Sequence, residues 1–206
     1  MNIQFLDFLL PKNKYGSSID SYVDKQSVAN IVISNKKLGD YNCSYLFKYQ
    51  DEAIKDLFQT IKLNGNYDII RDLYSVLKQE LLTKVIYNRA DTIIVIIPSD
   101  PARFIARGFG FNEEIMRMLI SDGYNCVSPL IKTQTSINNS KLNKEQRINK
   151  PNLYTIYDQS IVDNLSTFEN IIMFDDVVTT GTTFEHCIKI LTIKHTSVRC
   201  IAIAGE

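Results

Sequence analysis

The hydrophobic positions of this chain change period several times, and each change marks an element. Tyr41, Cys43, Tyr45, Phe47 and Tyr49 alternate with polar residues. With Ile31 and Ile33 ahead of the polar stretch Asn35 to Asp40, they predict a half-buried hairpin. A wider spacing follows. Ile54, Leu57, Phe58 and Ile61, then Ile69, Ile70, Leu73, Leu77 and Leu81, form two helical stripes, and Asn64-Gly65-Asn66 reads as the turn between them. From residue 92 the order is a strand, a loop, a helix on Ile115, Met118 and Leu119 behind an Asn112 cap with Glu113 and Glu114, then a strand over Tyr124 to Ile131. A long polar loop, a strand at 170–174, a helix on Phe184, Cys187, Ile188 and Leu191, and a strand at 198–204 complete the chain. Strands alternating with helices imply an α/β protein with a parallel sheet. The expected division is an amino-terminal lobe, 1–90, of hairpin and two helices, followed by an α/β domain, 91–206.

Composition narrows the class. The 206 residues are 45% hydrophobic and 22% charged, enough for one core, or a core and a small lobe, without disulfides. Lys plus Arg and Asp plus Glu both number 23, so no global field draws the chain toward nucleic acid. Four scattered cysteines, Cys43, Cys126, Cys187 and Cys200, contain no Cys-x-x-Cys pair, which rules out a zinc ribbon. No run reaches the roughly 18 apolar residues of a membrane span. The first ten residues lack the basic flank and cleavage site of a leader, so a cytoplasmic location is expected. His186 and His195 have no metal-ligand spacing. The 11 tyrosines, several in the hairpin, suit either base stacking or the core of a lobe.

Chemistry concentrates at Ile171 to Thr183. A wholly apolar run ends in Asp175 and Asp176, and Val177-Val178-Thr179-Thr180-Gly181-Thr182-Thr183 leads into the next helix. The apolar run suits a strand covered on both faces, and the acids would emerge at its carboxyl end, where open α/β sheets place ligands. Gly181 and the threonines would feed a helix amino terminus, whose unpaired N–H groups and dipole favour a phosphate. The carboxylates would repel that phosphate, so they must meet sugar hydroxyls or a metal. A ribose 5-phosphate satisfies both halves. The plainer reading is an Asp-Asp turn capping a helix, for which one acceptor would suffice.

The stretch Phe174 to Thr183 resembles the signature of type I phosphoribosyltransferases, which bind phosphoribosyl pyrophosphate (PRPP). The resemblance implies that Asp175 and Asp176 hold the ribose hydroxyls and act at the catalytic centre, while residues 177–183 wrap the 5-phosphate. Further segments are similar to the ComF (competence protein F) family. Residues 92–112 run from a strand through a proline loop to Arg107-Gly108-Phe109 and Asn112, with Gly110 and Phe111 inserted. Leu142, Gln146-Arg147, Asn149 and Tyr154 echo a second pattern with one deletion, and Tyr49, Leu57, Phe58, Ile61-Lys62 and Gly65 a helical lead-in. The likeness covers about residues 45–206, without the zinc ribbon many such chains carry.

The family likeness implies a type I phosphoribosyltransferase-like parallel sheet flanked by helices, with Mg2+ accompanying PRPP. Ser99, Asp100, Arg103 and Arg107 are candidates for the loop that meets the pyrophosphate, because arginine offers paired donors to phosphate oxygens. A surface ion pair accounts equally for either arginine. Lys132, Lys141, Lys144, Arg147 and Lys150 face a single acid, Glu145, in a polar stretch over 132–151. By resemblance this is a flexible hood loop closing over PRPP, with Lys132 and Arg147 as its cations, and a solvated linker is the alternative. Lys62 matches a ComF-like position or simply favours a helix carboxyl end. Thr179 stands where purine-salvage members carry an aspartate base, so purine salvage is disfavoured, although orotate-type members also have threonine there and remain active. Two functions stay open: a phosphoribosyl transfer to a nitrogen nucleophile in DNA uptake during natural transformation, or a non-catalytic module that senses PRPP or binds single-stranded DNA. The second would act through a competence helicase or recombination proteins.

Overall fold

The computed structural model describes residues 33–64, 67–133, 153–193 and 197–206. Strands β1 (Ser34–Leu38) and β2 (Tyr41–Lys48) form a hairpin, but β1 occupies most of the polar stretch expected to connect the strands and the turn is Gly39-Asp40. Helices α1 (Glu52–Asn64) and α2 (Tyr67–Leu77) follow, and α2 runs on through a π-helical turn, Lys78–Leu82, and a short turn, Thr83–Val85. Next come β3 (Thr92–Ile96), α3 (Pro101–Arg107), α4 (Phe111–Ser121) and β4 (Asn125–Val127). A two-stranded ribbon, β5 (Leu130–Lys132) and β6 (Tyr154–Ile156), precedes α5 (Gln159–Leu165), β7 (Asn170–Val178), α6 (Thr182–Ile190) and β8 (Val198–Gly205).

The architecture is α/β. A six-stranded sheet has the order β1-β2-β8-β7-β3-β4, and every pair except β1–β2 is parallel. All five residues of β3 and Ile171–Phe174 of β7 are buried because helices cover both faces. Alternation sorts the side chains. Ile94, Ile96, Ile172, Phe174 and Ile201 pack with α1, α2 and α4, whereas Ile93, Val95, Ile171, Met173 and Cys200 pack under α6 with Phe184 and Cys187. Among the described residues, no helix is long and apolar enough to cross a membrane.

The boundary expected near residue 90 falls between elements that share one core. β2 pairs with β8 over Asn42–Lys48, and Ile54, Phe58, Ile61, Ile70 and Leu77 pack against Ile172, Phe174 and Ile203. Hairpin tyrosines are packing residues on both faces: Tyr45 is buried on the α6 side, and Tyr49 meets Phe58 edge-on at 6.2 Å between ring centroids. The amino-terminal 32 residues, Gly65 and Asn66 of the expected turn, and His195 lie outside the described residues.

Three expectations change. The single strand over Tyr124 to Ile131 is two, because Pro129 cannot donate to a ladder; β4 stays in the main sheet and β5 leaves to pair with β6. Ser128 marks the junction, its Oγ donating to Ile96 O at 3.0 Å. Two short helices, α3 and α5, were not foreseen. Each begins at an aspartate: Asp100 Oδ1 accepts from Ala102 N at 3.1 Å with Pro101 in the first turn, and Asp158 Oδ1 accepts from Ser160 N at 2.9 Å.

Because the hairpin and α1–α2 supply half of one core, a fragment spanning 91–206 is expected not to fold on its own. Circular dichroism should show no cooperative thermal transition for it. A sharp transition with native-like amplitude would contradict this.

Candidate functional site

The sheet opens at one point. β3 and β7 stay in register only to Ile96 opposite Phe174, with Ile97 N donating to Phe174 O at 3.0 Å, while β7 and β8 remain paired to Val178 opposite Gly205. Residues 175–178 are thus paired on one side only. β7 continues through both acids instead of ending at residue 174, because β8 keeps it extended. The unpaired side borders a cavity of about 150 Å³ lined by Asp175, Asp176, Thr183 and residues of α1, α3, α4 and the ribbon. That position, beyond the carboxyl end of a central strand where the neighbours diverge, is where open α/β sheets take ligands.

Successive strand residues lean to opposite faces, so the two carboxylates find different partners. Asp175 Oδ1 accepts from Asn112 Nδ2 at 2.9 Å and from its neighbour's amide, Asp176 N, at 2.9 Å. Asp176 Oδ2 is 2.6 Å from Lys62 Nζ, which also lies 5.2 Å from the Phe58 ring centroid. Burial raises the Asp175 pKa from 3.8 to about 7, and the Asp176 charge pushes the same way; Asn112, the Asp176 amide and Lys62 oppose. One of the two acids therefore holds its charge against a substantial penalty.

The loop from Thr179 to Thr183 leads directly into α6, as predicted. Gly181 is its N-cap at φ 85°, and a Cβ there would come within 2.5 Å of the Leu38 side chain. The backbone is therefore pressed against β1, and its first helical amides have no side-chain cap. Lys36 Nζ, also on β1, donates to Thr179 O. Thr180 Oγ1 and Thr182 Oγ1 are 2.8 Å apart on the exposed side, whereas Thr183 faces the cavity. Val177 is half-buried and Val178 buried.

The opposite wall gathers most of the expected pyrophosphate loop. Ser99, Asp100 and Arg107 line the cavity. Asp100 caps α3, is 7% exposed and sits with its Oδ2 3.6 Å from Lys132 Nζ. Arg103 is on α3, but its side chain lies outside the described residues, as do Arg147 and the rest of the hood from residue 134 to 151. Lys132, at the end of β5, reaches the cavity 5.8 Å from the Tyr154 ring centroid. Lys62, Arg107 and Lys132 thus place three cations around three acids.

Asn112 corrects a role assigned from sequence. Gly110, not Asn112, is the N-cap of α4, and Asn112 stands inside the first turn, 3% exposed, donating also to Ile97 O at 2.8 Å. Glu113 likewise turns to structure: its Oε1 accepts from Ser99 N at 2.8 Å, and its Oε2 would lie 1.8 Å from a Cβ at Gly110. Only glycine leaves space for that carboxylate. Sequence reading missed both roles; the signal available was the inserted Gly110-Phe111 pair, which resets the helix start. His186 is not part of this wall, and its ring meets Tyr154 edge-on at 6.2 Å.

Among the described residues, no group of three or more His, Cys, Asp or Glu side chains is arranged to hold a metal. No protein-family model matches the chain, and no curated protein matches its sequence.

Two outcomes are expected. Gly181→Ala should lower stability by about 2–4 kcal/mol in denaturant titration, the sum of a left-handed alanine and the clash with Leu38; a loss below about 1 kcal/mol would contradict the tight approach. For Asp175 the folded state binds its proton more tightly than the unfolded chain. Its contribution is therefore full below pH 3.8 and lost as pH rises to about 7. Asp175→Asn keeps an acceptor for Asn112 and removes the charge. It should raise the melting temperature at pH 8 by roughly 2–6 °C and by less at pH 5. A variant melting below the unsubstituted protein at pH 8 would contradict a penalised charge.

Proposed function

We propose that this chain binds PRPP as a ComF-like protein with a type I phosphoribosyltransferase-like fold. The carrying observation is the junction of a half-paired acidic strand end with a Gly181 loop that opens α6. Asp175 and Asp176 then accept the ribose hydroxyls, and the amides and hydroxyls of Thr179 to Thr183 receive the 5-phosphate. Across the cavity, Arg107 and Lys132, with Ser99 and Asp100 in the connecting loop, stand where the diphosphate extends. Lys132 would exchange its pairing with Asp100 for a phosphate oxygen.

In the transfer reading, the bond between the anomeric carbon and the diphosphate oxygen breaks, the electron pair leaves with pyrophosphate, and a nitrogen nucleophile forms the new bond. The cations of the cavity wall stabilise the leaving charge. Magnesium would enter with the diphosphate, held mainly by ligand oxygens with Asp100 as the carboxylate on that wall, and would supply further positive charge there. DNA uptake in natural transformation, in the cytoplasm, is the biological setting that the ComF resemblance supports.

One observation favours a second reading. Thr179 is exposed, stands in the place of an aspartate base, and has its carbonyl held by Lys36. A module that senses PRPP without transferring it, and works through a competence helicase, recombination proteins or single-stranded DNA, would need no base there.

Titration calorimetry with PRPP and Mg2+ tests the common premise. Charge-assisted hydrogen bonds contribute about 1.5–3 kcal/mol each, so Asp175→Ala/Asp176→Ala should weaken binding by roughly 10² to 10⁴-fold with the fold retained. Unchanged affinity in the folded double variant would remove the assignment. Pyrophosphate release with ammonia or nucleobases then separates transferase from sensor, and salt-sensitive binding of single-stranded DNA would identify a phosphate contact.

A further inference from the structure

Asn112, on the wall of the cavity, carries an unsatisfied requirement just beneath its surface. Its Nδ2 donates twice, to Ile97 O at 2.8 Å and to Asp175 Oδ1 at 2.9 Å. Those two acceptors fix the amide, since the reversed orientation would set its oxygen against two other oxygens. Oδ1 is consequently held in place, yet it is buried with no hydrogen-bond partner. The residue is 3% exposed and lines the cavity. A buried carbonyl left unpaired is destabilising, and few such atoms persist in folded proteins without a function.

The neighbouring acceptors indicate what would satisfy it. Asp175 Oδ1 already accepts from Asn112 Nδ2 and Asp176 N, so Oδ2 is the oxygen those bonds do not use. Asp176 Oδ2 is taken by Lys62 at 2.6 Å. A carboxylate oxygen and a neutral amide oxygen, on side chains bonded to each other, suit two donors on adjacent atoms. Lys62 beside them disfavours a further cation, and adjacent hydroxyls are the matching chemistry.

We propose that Asn112 Oδ1 is a ligand-binding acceptor that takes one of the two ribose hydroxyls in place of Asp176, whose charge is held by Lys62, and that the neighbouring hydroxyl goes to Asp175. The assignment rests on the ribose phosphate reading above and adds a residue that the acidic motif does not contain. Asn112 therefore has two jobs: its Nδ2 positions Asp175, and its Oδ1 discriminates ribose from a deoxy sugar.

The experiment is a double-mutant cycle across protein and ligand. Ribose 5-phosphate and its 2-deoxy and 3-deoxy analogues are titrated into the full chain and into Asn112→Ser. In the unsubstituted protein, removing the hydroxyl that meets Asn112 should weaken binding by about tenfold; in Asn112→Ser that penalty should fall to about twofold or less, while the other deoxy analogue keeps its penalty. Equal penalties in both proteins would remove Asn112 from ligand contact, and loss in Asn112→Ser of the same penalty that Asp175→Asn abolishes would assign it a purely positioning role; either result overturns the proposal with the ribose site intact. Failure of the unsubstituted protein to bind any of the three sugars would overturn the ribose reading and this one together. Should Asn112→Ser not fold, the Asn112 side-chain carbonyl 13C resonance of the unsubstituted protein serves. It should move with ribose 5-phosphate and not with the critical deoxy analogue, and a shift produced by Mg2+ alone would overturn the hydroxyl assignment.

Discussion

The separation of β3 from β7 beyond Phe174 is the constraint on which the site depends. A strand in the middle of a parallel sheet is normally satisfied on both sides, and its side chains are apolar because helices cover both faces. β7 meets that description through Phe174 and then loses one neighbour while keeping the other. Backbone still held by β8 can present carboxylates that the closed sheet would exclude. The freed edge also admits the first turn of α4, so Asn112 reaches both Ile97 O and Asp175 across the gap.

Holding charge there is costly, and the surroundings are arranged around that cost. Asp175, half-buried with a desolvated carboxylate beside Asp176, resists ionisation, while Lys62 neutralises the second acid from α1. Lys132 and Asp100 form a similar pairing across the cavity. The site thus carries its own counter-charges, which suits a ligand that brings both hydroxyls and anionic groups. Groups held in such environments lower stability in exchange for function, a common trade in folded proteins.

Much of this was legible in the sequence because it depends on local pattern. The apolar runs of β3 and β7, the stripes of α1, α2 and α6, and the Gly181 loop follow from periods and turn chemistry within short windows. The site's supports were less visible. Asn112 is 63 residues from the acid it holds, and the Gly110-Phe111 pair beside it could show only that the helix starts earlier, not which partner the amide meets. Lys62 was noticed only through resemblance, since a lysine in a last helical turn has a sufficient local explanation. α3 and α5 have seven residues each, too few for a helical stripe to outweigh the polar residues around them. The extension of β7 to Val178 is set by β8, a partner later in the chain.

The most direct test of the central claim is a crystal structure of the protein soaked with PRPP and Mg2+. The sugar hydroxyls should lie against Asp175 and its neighbours, and the 5-phosphate should sit among the amides of residues 179–183. Ligand density elsewhere on the molecule, or a 5-phosphate on the Arg107 side with the diphosphate at Gly181, would contradict the account.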